Sequence, residues 1–201
     1  MTSRSGFYSA SGLCLVGVAY VVVVGAGVAQ AGLEDPIVDP ILAVMEVLTL
    51  LAAPLVVILM AAIHSYAAPP HKTRTVVALA FGVLMAGLTS GVHFVALTAG
   101  RQMGSSVLRW PSTSYAIEVL AWDLFLGLAL LFAAPAFDRT RLNAITRRAM
   151  SVTGALCIMG TIGPLVGDMR WQRIGIVGYG VGLPITCLFL ALVFRQPLRV
   201  E

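Results

Sequence analysis

The sequence predicts an all-α fold, a polytopic integral membrane bundle of six transmembrane helices with both termini cytoplasmic. Three observations predict it. Hydrophobic residues make up 59% of the 201-residue chain and charged residues only 11%, against about 25% charged in soluble domains. The apolar residues gather into six runs, each near the roughly 20 residues that a helix needs to cross a bilayer core of about 30 Å. Most of the charges fall between those runs.

The first run, residues 12–32, begins after a single charge, Arg4. Its Ala29-Gln30-Ala31 also resembles the cleavage site of a secretory signal, but we read the run as the first span. An acidic connection, residues 33–39, contains Pro36 and leads to Pro40 at the first turn of the second span, where proline is tolerated. The second span, 40–66, carries Glu46 and His64 and includes Pro54, a site for a kink. A basic connection at 67–74 precedes the third span at 75–98. The longest connection, 99–114, follows, then the fourth span at 115–137. The most basic stretch, 138–148, separates it from the fifth span at 149–167. A polar turn at 168–173 joins the sixth span at 174–194. Short connections throughout imply one membrane domain over residues 1–201.

Charge orients the bundle. With six spans, one side collects Arg4, Lys72, Arg74, Arg139, Arg141, Arg147, Arg148, Arg195 and Arg199, and the other only Arg101, Arg109, Arg170 and Arg173. The positive-inside rule places the richer side, and both termini, in the cytoplasm. Trp110 and Trp171 fall at the opposite boundary, where tryptophan anchors at the headgroups. The formal charge of +4 is therefore an orientation signal, and no nucleic-acid partner is expected. Lys72, the only lysine, lies in a connection, which excludes a Schiff-base retinal protein. Cys14, Cys157 and Cys187 lie one to a span and read as small buried residues.

Function is sought among ionisable groups inside the spans, because each costs energy unless it faces protein or water. At about 1.5 Å per residue, Glu46 lies about 9 Å, His93 about 8 Å and Glu118 about 6 Å below the outer boundary, with Asp123 about 14 Å down. Glu46, His93 and Glu118 thus share one layer and are the candidate acid–base set. His93 shares a helix side with Thr89 and Ser90, and Glu118 with Tyr115 and Trp122. Asp123 lies about 140° from Glu118 on a regular helix. Thr89, Ser90, Tyr115, Trp122, Asp123 and Asp168, at the mouth of the fifth span, are candidate binding residues. No H-x-x-x-H or E-x-x-H pair supports a metal, and no cofactor is indicated. His64 and His93 lie near opposite faces, which argues against paired-histidine haem.

Gly163–Gly167 and Gly178–Gly182 are small-xxx-small motifs that imply close packing of the last two helices. The repeated hEVL pattern at Glu46 and Glu118 reads as chance. The chain resembles small six-span bacterial inner-membrane proteins only in general terms, with no residue assignments. Three functions fit: acid–base chemistry on, or binding of, a lipid, isoprenoid or quinone; a structural or accessory subunit of a larger membrane complex or homo-oligomer; and a small proton-coupled transporter. Whether it is an enzyme is not decided by sequence. Membrane lipids, and a hydrophobic small molecule under the first reading, are the expected partners.

Overall fold

The computed structural model describes residues 2–32, 37–103, 108–138 and 140–196. It is all-α, with no strand among the described residues. Six helices are long and apolar enough to cross a membrane: α1 (Thr2–Ala31), α2 (Ile41–Tyr66), α3 (Pro69–Gly100), α4 (Thr113–Ala136), α5 (Arg141–Val166) and α6 (Gln172–Arg195). Each packs on the next in chain order, and α6 returns to α1, so the helices close into a ring. Asp39, Arg101, Trp110 and Gly167 lie at one end of the ring, and Arg4, Lys72 and Arg195 at the other. We call these the Asp39 end and the terminal end.

The observed helices are longer than the apolar runs. Helix α1 starts near Thr2 rather than residue 12. Helix α5 starts at Arg141 rather than 149, so much of the most basic connection is helical. The reason is local. Thr140 caps α5 by accepting a hydrogen bond from the backbone N–H of Asn143 at 3.1 Å, and the Asn143 amide donates to the Tyr66 hydroxyl at 3.0 Å. Hydropathy registers only residues suited to hydrocarbon, while a helix continues wherever its ends are capped and its faces packed. Helix α4 is capped in the same way by Ser112, whose side chain accepts from Tyr115 N–H. Pro40 is the N-cap of α2 rather than a residue of its first turn, and α2 runs on through Pro54.

Three helices contain a π-helical turn: Ala96–Gly100 in α3, Leu120–Phe125 in α4 and Gly178–Gly182 in α6. A π turn bonds i to i+5 and so holds more residues than an α turn. All three lie in the half of the bundle nearer the Asp39 end. The other half is solid: Leu59, Ile63, Met85, Leu130, Phe137 and Leu190 are fully buried there. Tyr66 stacks on Phe137 with ring centroids 5.4 Å apart and meets Phe194 edge-on.

Glycines set the approach of α4, α5 and α6. A Cβ on Gly154 would stand 2.7 Å from the Gly127 carbonyl oxygen, and one on Gly178 would stand 2.8 Å from the Cys157 nitrogen. The Gly178–Gly182 motif therefore does pack closely, against α5. Gly163 does likewise against Gln172 at the start of α6. Gly167 ends α5 at φ +74°, a left-handed cap that suits glycine. Gly160 and Gly175 form a notch that the Asp123 carboxylate fills. A Gly175→Ala substitution puts a methyl into the carboxylate. It should destabilise the protein by about 1–3 kcal/mol, the usual cost of overpacking a tight core. Gly87→Ala, where an added Cβ meets nothing within 4 Å inside a helix, should stabilise by up to about 1 kcal/mol. Thermal unfolding of the solubilised variants checks the contrast, and equal midpoints for both would refute the notch.

Candidate functional site

The half of the ring nearer the Asp39 end encloses a cavity of about 340 Å³. Its walls come from α1, α2, α3, α4 and α6, with Leu108 from the α3–α4 connection. Most of the wall is apolar. The polar and aromatic side chains on it are Tyr20, Glu46, Thr49, His93, Tyr115, Glu118, Trp122, Asp123, Gln172 and Tyr179.

His93 and Glu118 pair directly. The imidazole Nε2 lies 2.8 Å from Glu118 Oε1. With Glu118 ionised the N–H donates to the carboxylate; with the proton on the acid, the acid donates. Their positions follow from helix faces. His93 ends a buried side of α3 that includes Gly82, Ala86 and Thr89, and Glu118 lies on α4, the next helix of the ring. The second imidazole nitrogen, Nδ1, and Glu118 Oε2 are buried without a hydrogen-bond partner among the described residues.

Glu46 lines the same cavity but has a different partner. Arg101 places Nη1 3.0 Å from Glu46 Oε2, an approach too poorly aligned to count as a hydrogen bond. The same guanidinium donates from Nη2 and Nε to the two oxygens of Asp39 at 2.9 and 3.0 Å. Asp39 also accepts from the Ala43 N–H at 3.1 Å, which secures the first turn of α2. Arg101 thus clasps the α1–α2 connection to the end of α3 and reaches Glu46 in the cavity wall. The Arg101 hydrogen bonds hold the Asp39 carboxyl below the usual carboxylate range, with the Arg101 charge and the Ala43 N–H adding to the effect.

Asp123 forms a third polar station. Its side chain is fully buried. Oδ2 accepts from the Gln172 amide at 3.2 Å, and the same amide nitrogen donates to the Tyr179 hydroxyl at 3.1 Å. Oδ1 faces the Gly160–Gly175 notch and has no hydrogen-bond partner among the described residues. On a regular helix Asp123 would face well away from Glu118. The π turn at Leu120–Phe125 winds the chain more slowly, so Glu118, Trp122 and Asp123 all reach one cavity.

Of the residues singled out by sequence, Glu46, His93, Glu118, Tyr115, Trp122 and Asp123 line the cavity. Thr89, Ser90 and Asp168 do not. Thr89 is buried on α3. Asp168 instead grips Arg170 two residues on, with bonds of 2.8 to 3.1 Å that hold its carboxyl below the usual range. Gln172, Tyr179 and Tyr20 are cavity residues that the sequence did not assign, and Arg101, which in sequence reads as a loop residue able to hold an anionic headgroup over an outer pocket, instead pairs with Asp39 and Glu46. A tyrosine inside the apolar run of α1 was the available signal for Tyr20. Gln172 lies in a stretch that reads as a connection. His64 bonds Thr75 near the terminal end, with Nδ1 3.0 Å from its hydroxyl. Among the described residues, no three His, Cys, Asp or Glu side chains gather closely enough to hold a metal ion.

Comparison with protein-family models, with curated proteins and with solved structures finds no match to this chain.

Removing Arg101 leaves Glu46 buried without its cation. Arg101→Ala should cost about 1–3 kcal/mol, discounted from a fully buried pair because Arg101 is 30% exposed. Arg101→Ala/Glu46→Gln should recover much of that loss, and chemical denaturation of the two variants measures the coupling. The clasp is also pH-dependent in a defined direction. Because folding lowers the Asp39 pKa, its contribution is complete above the usual carboxylate range and is lost as pH falls through the depressed value. Hydrogen exchange at the Ala43 amide, corrected for intrinsic rate, should be flat from pH 8 to about 5 and rise only in stronger acid.

Proposed function

We propose that the protein is a multi-pass inner-membrane protein whose cavity binds a lipid-like small molecule and performs acid–base chemistry on its polar end. The isoprenoid and quinone classes fall within this reading. The observation that carries it is the His93–Glu118 pair, set at 2.8 Å in the wall of a largely apolar cavity. A hydrogen-bonded imidazole and carboxyl can pass a proton between them and to a bound group. Among the described residues, His93 Nδ1, Glu118 Oε2 and Trp122 Nε1 are buried without a hydrogen-bond partner, so the pair keeps bonding capacity that a modest side-chain rotation would turn to a ligand. A volume of about 340 Å³ suits a small molecule or one end of a longer one.

With the termini cytoplasmic by the positive-inside rule, the cavity lies in the outer half of the membrane. A transport path would have to continue inward from Asp123. The solid packing of Leu59, Ile63, Leu130 and Phe137 in that direction favours a binding pocket instead.

Protein extracted in a mild detergent should carry a lipid-like molecule that native mass spectrometry detects. Glu118→Gln and His93→Asn should each lower its occupancy about tenfold, the effect of losing one charge-assisted hydrogen bond. Equal ligand content in both variants and the parent would reject the reading.

A further inference from the structure

The cavity is unbalanced in charge. Three carboxyl groups line it, Glu46, Glu118 and Asp123. Against them stand His93, bonded to Glu118, and Arg101, which reaches Glu46 from the mouth while its hydrogen bonds go to Asp39. Among the described cavity-lining residues there is no lysine or arginine. Among the described residues Asp123 has no cation beside it: Oδ2 takes one amide hydrogen bond, and Oδ1 takes none. A buried carboxyl in this state either holds its proton or is stabilised as the anion by a cation close by.

The walls add a second, independent feature. Tyr20, Tyr115, Trp122 and Tyr179 all line the same space, and the Trp122 and Tyr179 rings stand 5.5 Å apart, tilted at 55°. Aromatic faces attract cations electrostatically, most strongly where water is excluded, and this is how proteins recognise quaternary ammonium groups. An anionic ligand would meet three acids, and a neutral one would leave Asp123 as it stands.

We propose that the ligand of this cavity is a lipophilic organic cation: a protonated amine or quaternary ammonium group on an apolar body. The charged end sits against Glu118 and the Trp122–Tyr179 rings, with the buried Asp123 carboxyl acting on it from behind them, and the body lies along the apolar walls of α1 and α2. The assignment rests on reading the cavity as a ligand pocket and selects, among lipid-like molecules, those with a cationic end.

The test uses the full chain in lipid nanodiscs with Trp110→Phe and Trp171→Phe, so that Trp122 is the sole tryptophan. Three probes of one chain length are titrated against its fluorescence: hexyltrimethylammonium, hexanol and hexanoate. The cation should bind about tenfold more tightly than either of the others. Asp123→Asn and Glu118→Gln should each weaken the cation several-fold and leave hexanol unchanged. The probe series on the otherwise unaltered protein decides the matter even if a variant fails to fold. Hexanol or hexanoate binding as tightly as the cation overturns the cationic assignment while the pocket stands. If none of the three shifts Trp122 emission, the pocket and the assignment fall together.

Discussion

A carboxyl group on a membrane-spanning helix has no water to turn to and must find its partners inside the bundle. Much of this structure follows from placing three of them. Glu46, Glu118 and Asp123 all face one cavity, and each takes a different partner: a guanidinium, an imidazole and a side-chain amide. The helices that supply those partners are α3, for His93 and, at its C-cap, Arg101, and α6, for Gln172. The ring order puts α3 between α2 and α4, within reach of acids on both, and α6 closes the ring against α1.

The π turns are the second device. A regular helix carries Asp123 away from Glu118, and the slower winding at Leu120–Phe125 returns it. The turn at Gly178–Gly182 contains Tyr179, and the turn at Ala96–Gly100 separates His93 from Arg101. The π turns thus coincide with the half that encloses the cavity, while the other half is filled with close-packed side chains. Glycine makes this possible at the tightest crossing, where Gly160 and Gly175 make room for the Asp123 carboxylate between α5 and α6.

The division has a functional sense. A solid terminal half gives the cavity a floor, and the Arg101 clasp to Asp39 holds Glu46 in its wall. The polar groups of the cavity are held by contacts between helices of the bundle. A site on rigid helices can keep an imidazole and a carboxyl at bonding distance without a ligand to organise them.

Composition and hydropathy decided the class of this protein: six apolar runs with little charge inside them admit only a helical membrane bundle, because lipid offers the backbone no other way to satisfy its hydrogen bonds. Helical rise alone placed Glu46, His93 and Glu118 in one layer, and helix faces turned His93 inward. Sequence did not decide who pairs with whom. Depth puts His93 level with both Glu46 and Glu118; it bonds Glu118, and Glu46 answers to Arg101 from what reads in sequence as a connection. Nor did it place Gln172 and Tyr179 beside Asp123. These outcomes depend on which helices are neighbours in the ring and on π turns that shift a face by part of a turn. Depth is a property of one helix and can be counted along the chain. Pairing is a property of two helices and their rotation, and only packing sets that.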